Sequence, residues 1–154
     1  MDAPRRNADF LHMYVVRSMP KEMDINKNYL DLENEEMIFN NYKTAKKYGT
    51  QTIKIGEDLM TILNMYFKHH PHYSGTKTKE IKFLVNDKGQ ALNAENSITR
   101  ILNAGLKANI GSSMLRHIYL SWKFPAEMFD SMEETADAMA HSVAEQKRYV
   151  KRDD

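Results

Sequence analysis

The chain contains no cysteine, so it has no disulfide bond, no thiolate metal ligand and no cysteine nucleophile. It also lacks any run of about 18 or more apolar residues, so no membrane-spanning helix is predicted. The polar N-terminus, M-D-A-P-R-R-N-A-D, has no apolar segment of the kind found in secretory signal peptides. Together these absences predict an intracellular protein that is neither secreted nor held in a membrane.

The composition that remains is ordinary for one globular domain. The 154 residues are 42% hydrophobic and 28% charged, which is enough to bury a core. The formal net charge is only +1, but residues 43 to 54 hold four lysines and no acid, whereas residues 127 to 137 hold five acids and no base. The basic stretch suits a phosphate backbone, although two solvated surfaces of opposite sign explain the same pattern.

The hydrophobic pattern predicts a mostly helical protein with one small sheet. Residues 8 to 18 carry Phe10 and Tyr14 at helical spacing, which predicts an amphipathic helix. Residues 28 to 55 alternate aromatic and β-branched runs with Asn and Gly, which predicts three antiparallel strands. Helical patterns also occupy residues 57 to 70, 94 to 107, 112 to 122, 125 to 139 and 144 to 151, and residues 81 to 85 form a strand or extended segment. We therefore expect a single mostly α, α+β domain over residues 1 to 154, with a three-stranded antiparallel sheet.

The last third of the chain holds an ordered set of residues that suits phosphoryl transfer. The segment S-S-M-L-R-H-I-Y-L-S contains Arg116, the segment M-A-H-S contains His141, and Tyr149 follows eight residues later. This order resembles the second half of the tyrosine recombinase (phage integrase) signature, which runs H-x-L-R-H, then L-G-H-S, then a tyrosine. The segments are similar in style to integrase-like proteins of large DNA viruses and mobile elements.

The first third of the chain matches the rest of that signature. Arg6 opens an R-x-x-D motif that ends at Asp9, and Lys43 precedes Thr44 at the mouth of the second predicted hairpin. The resembling family places its first arginine and its lysine in these two contexts. Arg5 is an adjacent rival for the arginine, and the R-x-x-D spacing favours Arg6.

The resemblance implies a catalytic domain that breaks and rejoins DNA strands. Arg6 and Arg116 would hold the scissile phosphate, His141 would hydrogen-bond it, and Lys43 would protonate the departing 5′ oxygen. Tyr149 would attack phosphorus and form a 3′-phosphotyrosyl intermediate, with no cofactor and no metal. Such a reaction needs an in-line nucleophile and cations on the non-bridging oxygens.

Supporting roles follow from the same resemblance. Asp9 would orient an arginine. Ser113 stands where the family has histidine or lysine, so we expect it to cap a helix, with His117 or His141 compensating for the missing donor. Contacts to the DNA backbone are expected from Arg5, Lys46 and Lys47.

Each of these residues also has an ordinary explanation when it is taken alone. Arg116 could be a surface arginine, His141 a satisfied core histidine, and Tyr149 a packing residue in a basic tail. His69, His70 and His72 invite a zinc site, but this loop has no cysteine and no helical pair of ligands, so we expect no metal there. Only the joint order of the motifs favours the recombinase interpretation.

The expected partner is double-stranded DNA, in the cytoplasm or nucleus of a host cell, with other protomers joining on DNA. Only five residues follow Tyr149, so we expect a monomer in solution. Complete recombinases carry an N-terminal DNA-clamping domain, and we expect this chain to lack one and to be part of a longer protein. Two alternatives stay open: a DNA-binding or assembly module without turnover, and a type IB topoisomerase-like enzyme.

Overall fold

The computed structural model describes residues 4 to 124. Residues 5 to 112 form one compact unit, and residues 113 to 124 belong to a second, smaller unit. The larger unit contains four helices: α1 (Asn7–Leu11), α2 (Ala45–Tyr48), α3 (Glu57–His69) and α4 (Glu95–Leu106). Its strands are β1 (Met13–Val16), β2 (Asn28–Asp31), β3 (Glu36–Phe39), β4 (Gln51–Lys54) and β5 (Glu80–Lys82).

These five strands form one mixed sheet in the order β4-β3-β2-β1-β5. Strands β2, β3 and β4 pair antiparallel and fall in the runs predicted from residues 28 to 55. Strand β1 pairs parallel with β2, and β5 pairs antiparallel with the other edge of β1. The predicted fold class, a mostly helical domain with a three-stranded antiparallel sheet, was therefore wrong.

The error lies in residues 8 to 18, which do not form one helix. Helix α1 ends at Leu11, and β1 begins at Met13. Val15 and Val16 are buried in β1, where their branched side chains fit the pleated sheet. Because β1 has hydrogen-bonded neighbours on both sides, strand pairing overrides the helical spacing of the apolar residues.

The main core lies between the sheet and α3. Leu63 and Phe67 are one helical turn apart on α3 and are both buried against the sheet residues. Phe39 and Leu30 are fully buried in the centre of that sheet. The helix predicted for residues 57 to 70 is confirmed, since its apolar face has a sheet to cover.

Helix α4 packs against α1 and is confirmed where the pattern predicted it. The buried Asn7 side chain donates through Nδ2 to Thr99 Oγ1 at 3.0 Å, which joins the two helices. Helix α4 ends at Leu106, and the next residue, Lys107, caps it in the left-handed conformation with φ of 50°.

The smaller unit contributes helix α5 (Ser112–Lys123), which confirms the helix predicted for residues 112 to 122. The helices predicted for residues 125 to 139 and 144 to 151 lie outside the described residues. No helix within residues 4 to 124 is long and apolar enough to cross a bilayer.

Candidate functional site

Arg6 and Lys43 line one pocket of the larger unit, although they are far apart in sequence. The pocket has a volume of about 290 Å³. Its remaining lining residues are Ala8, Asp9, His12, Asn41, Tyr42 and Glu95. The fold thus brings together the arginine and the lysine that the sequence motifs singled out.

Two connecting segments outside the sheet carry these side chains. Arg6 directly precedes α1, with an extended backbone at φ −76° and ψ 149°. Lys43 lies in the connection between β3 and α2, where its side chain is exposed. Because β3 ends at Phe39, Lys43 lies beyond the end of the strand, in the β3–β4 connection that also contains α2.

The two adjacent arginines have different surroundings. Arg5 donates from Nε to Asp9 Oδ2 at 3.0 Å and from a terminal nitrogen to Gln51 Oε1 at 2.8 Å. Its guanidinium also lies 3.8 Å from the centre of the Phe39 ring. Among residues 4 to 124, Arg6 makes no side-chain hydrogen bond or ion pair. Of the two arginines, Arg6 is therefore the one that lines the pocket, without a side-chain partner in the part of the chain that the structure describes.

Asp9 therefore pairs with Arg5, the rival of Arg6 in the sequence motif. The Asp9 side chain is 6% exposed and that of Arg5 is 15% exposed, so this ion pair is largely shielded from water. The expectation that Arg5 contacts DNA stays a prediction, and the structure gives Arg5 an internal role.

The two lysines expected to contact the DNA backbone, Lys46 and Lys47, lie on α2 and are exposed. They follow Lys43 closely, so three basic side chains stand along one short connection at the pocket. The Lys47 ammonium lies 5.0 Å from the centre of the Tyr48 ring, which is itself exposed.

Sequence patterns did not identify His12 as a pocket residue. His12 is exposed and follows the last residue of α1, where the chain turns into β1. The predicted helix over residues 8 to 18 placed it in a helix interior, which hid this position. An imidazole at the mouth of a pocket can donate a hydrogen bond to a phosphate oxygen.

Tyr42 and Asn41 form the wall of the pocket beside Lys43. The Tyr42 hydroxyl donates to the Gly49 carbonyl at 2.7 Å, which holds it across the β3–β4 connection. The Asn41 side chain donates to the Asn26 carbonyl at 2.9 Å. These bonds fix the connection on which Lys43 stands.

Helix α5 carries three more of the predicted residues. Ser113 was expected to cap this helix, but it lies within the first turn, and its hydroxyl accepts a hydrogen bond from Arg116 at 3.0 Å. His117 is exposed on the same helix. His141 and Tyr149 lie outside the described residues, so the structure locates three of the five predicted catalytic residues.

His70 and His72, which follow α3, form hydrogen bonds with backbone groups. The buried His70 ring donates from Nε2 to the Lys82 carbonyl at 3.0 Å and accepts at Nδ1 from the His72 backbone N–H at 3.2 Å. Burial lowers the pKa of His70, so the neutral form is favoured. Residues 4 to 124 contain no group of three or more His, Asp or Glu side chains placed to hold a metal ion.

Comparison of the chain with protein-family models, with curated proteins and with solved structures gave no match. The comparisons therefore identify no family for this chain.

Proposed function

We propose that this chain is the catalytic domain of a DNA strand-transfer enzyme of the tyrosine recombinase type. The observation that carries this proposal is the shared pocket of Arg6 and Lys43. Two residues selected only by motif order lie on different elements, and the fold brings them to one cavity.

The chemistry of the pocket favours a phosphate diester. An arginine can bind two phosphate oxygens in a bidentate manner, whereas lysine acts as a compact charge and a proton donor. Arg6 has no competing partner in the described part of the chain, and the carboxylate of Asp9 is already occupied by Arg5. Arg5 therefore balances the charge of Asp9, and Glu95 is the second acid that lines the pocket with Arg6 and Lys43.

The proposed reaction uses these groups in two reversible steps. The Tyr149 hydroxyl releases its proton to water, and its oxygen forms a bond to phosphorus while the bond from phosphorus to the 5′ oxygen breaks. Lys43 gives its proton to that leaving oxygen. Arg6, Arg116 and His141 stabilise the charge on the non-bridging oxygens. Religation is the reverse reaction with a 5′ hydroxyl, so it needs no external energy source.

The proposed partners follow from the basic connection beside the pocket. Lys43, Lys46 and Lys47 would lie along the backbone of double-stranded DNA, and further protomers would join on the same DNA. An enzyme of this kind would act on intracellular DNA, in a virus-infected cell or in the host of a mobile element.

A covalent-trapping assay tests the proposal. The full chain is incubated with labelled supercoiled and nicked DNA, the mixture is denatured, and label is sought on the protein band. Label on the parent and on Tyr48→Phe, but not on Tyr149→Phe, is the expected result. Tyr48 is a suitable control because it is an exposed tyrosine on α2. Label that persists on Tyr149→Phe would refute the nucleophile.

The second candidate is a DNA-binding or assembly module without turnover. Ser113 favours it, since a serine replaces the histidine or lysine of the family, and its hydroxyl accepts a bond from Arg116. A gel shift at low salt, combined with the absence of label across varied substrates, would select this candidate over the enzyme.

A further inference from the structure

Asn28, the first residue of β2, is fully buried and its side chain makes four hydrogen bonds to main chain. Its Nδ2 donates to the Asp9 carbonyl at 2.6 Å and to the Asn41 carbonyl at 2.9 Å. Its Oδ1 accepts from the backbone N–H groups of Asn40 and Asn41, both at 2.8 Å. The amide thus uses both of its donors and both lone pairs of its oxygen.

These bonds join the two walls of the pocket. Asp9 belongs to α1, which follows Arg6 directly, and Asn41 lies two residues before Lys43. The backbone N–H of Asn28 adds a bond to the His12 carbonyl at 2.8 Å. Three of the residues that line the pocket are therefore held by one buried asparagine.

We propose that Asn28 is a positioning residue that sets the separation of Arg6 and Lys43. This inference rests on the proposed function, since that separation matters for a phosphate held between the two cations. Asn28 does not itself line the pocket. It acts through the backbone of α1 on one side and of the β3–β4 connection on the other.

The position of Asn28 requires a side chain with both hydrogen-bond donors and an acceptor. The carbonyls of Asp9 and Asn41 require donors, and the amides of Asn40 and Asn41 require an acceptor. An aspartate has the same shape but presents no donor when it is ionised, so it would repel both carbonyls while keeping both amides. Asn28→Asp should therefore remove the one bond from this side chain to the α1 wall, whereas the wall that carries Lys43 loses the bond at the Asn41 carbonyl and keeps the two amide bonds.

Asp31 offers a matched control at the other end of the same strand. It is also fully buried, and its carboxylate binds the turn at Glu33 and Asn34, away from the pocket. Asp31→Asn makes the reverse isosteric exchange. A purely stabilising role for Asn28 predicts that both substitutions affect the pocket in proportion to the stability they remove.

The first test measures the separation of the walls without any reaction. Because the chain has no cysteine, Ala8→Cys and Thr44→Cys can carry two spin labels on the two walls. The labelled parent should give one narrow distance distribution, Asn28→Asp a broadened or shifted one, and Asp31→Asn the parental one. An unchanged distribution in Asn28→Asp, or equal changes in both variants, would overturn the proposal.

The second test separates binding from reaction in the unlabelled chain. Asn28→Asp should slow formation of the covalent DNA complex at saturating DNA by about 100-fold, as expected when reacting groups shift by roughly 1 Å. Asp31→Asn should react at nearly the parental rate under conditions where both variants stay folded. Parallel losses in the two variants would show that Asn28 serves stability alone.

The two proposals fail in different ways. If the parent forms no covalent complex, the proposed function fails, and the spin-label distances still decide the role of Asn28. If Asn28→Asp does not fold, hydrogen exchange on the unaltered chain takes its place. The Asn40 and Asn41 amides should then exchange much more slowly than those of Lys43 and Thr44. Equal exchange rates would refute the anchoring role.

Discussion

The guanidinium of Arg5 lies 3.8 Å from the centre of the Phe39 ring, on the buried face of the sheet. Its Nε also pairs with Asp9 at 3.0 Å. Arg6, the next residue, has neither contact and faces the pocket that Lys43 lines. The two adjacent arginines thus differ in their surroundings: Arg5 makes internal contacts, and Arg6 lines the pocket.

This difference predicts a large loss of stability for one alanine substitution and a small change for the other. Arg5→Ala should lower the free energy of unfolding by about 2 to 3 kcal/mol, because it leaves the Asp9 carboxylate shielded and unpaired. Arg6→Ala should change that free energy by about 0.5 kcal/mol or less. Urea denaturation followed by circular dichroism measures both, and equal losses would contradict the assignment.

Lys43 is predicted to act as the proton donor to the leaving 5′ oxygen. Lys43→Ala should slow covalent-complex formation by about 10² to 10⁴-fold, the usual worth of general acid catalysis. In a substrate with sulfur in place of the bridging 5′ oxygen, the leaving group is a thiolate, which needs no proton. That substrate should restore the rate of Lys43→Ala and not that of Arg6→Ala. Rescue of both variants, or of neither, would exclude the general-acid role.

His12 is predicted to donate a hydrogen bond to the DNA backbone. His12→Ala should weaken DNA binding by about 1 kcal/mol, or roughly fivefold in Kd. The control is His69→Ala, since His69 is exposed at the end of α3 and does not line the pocket. Fluorescence anisotropy at fixed low salt measures both affinities, and equal affinities would remove His12 from the site.

The lowered pKa of the buried His70 predicts that the folded chain loses stability in mild acid. Its pKa in the folded chain lies below the ordinary value of 6.5, chiefly because burial disfavours the charged ring. The unfolded chain therefore binds a proton first, so this contribution to stability is complete above about pH 6.5 and falls as the pH drops towards the folded pKa. Protonation also removes the acceptor that the His72 amide uses.

Denaturant midpoints between about pH 7 and pH 5 test this contribution. His70→Gln should flatten the pH dependence, whereas His69→Gln should leave it unchanged because His69 is exposed. A parental slope in the His70 variant would show that other groups cause the acid sensitivity.

The limits of the sequence patterns are visible in particular elements. Helices α3 and α4 were predicted because a wide apolar stripe at 3.6-residue spacing is a local property. Strand β1 was not predicted because the spacing of Phe10 and Tyr14 also fits a helix. Its pairing with β2 and β5 makes this segment a strand. Pairing with a parallel strand leaves no recognisable pattern in the sequence of a strand as short as β1.

The sequence by itself determined the candidate chemistry: no thiol, a basic stretch from residues 43 to 54, and the order of Arg6, Asp9, Lys43 and Arg116. It also determined most of the helices, because amphipathic spacing is written locally. Only the tertiary structure decided that Arg5 pairs with Asp9, that His12 lines the pocket, and that Asn28 binds both walls. Those facts depend on burial and hydrogen bonds between distant segments, which no local pattern encodes.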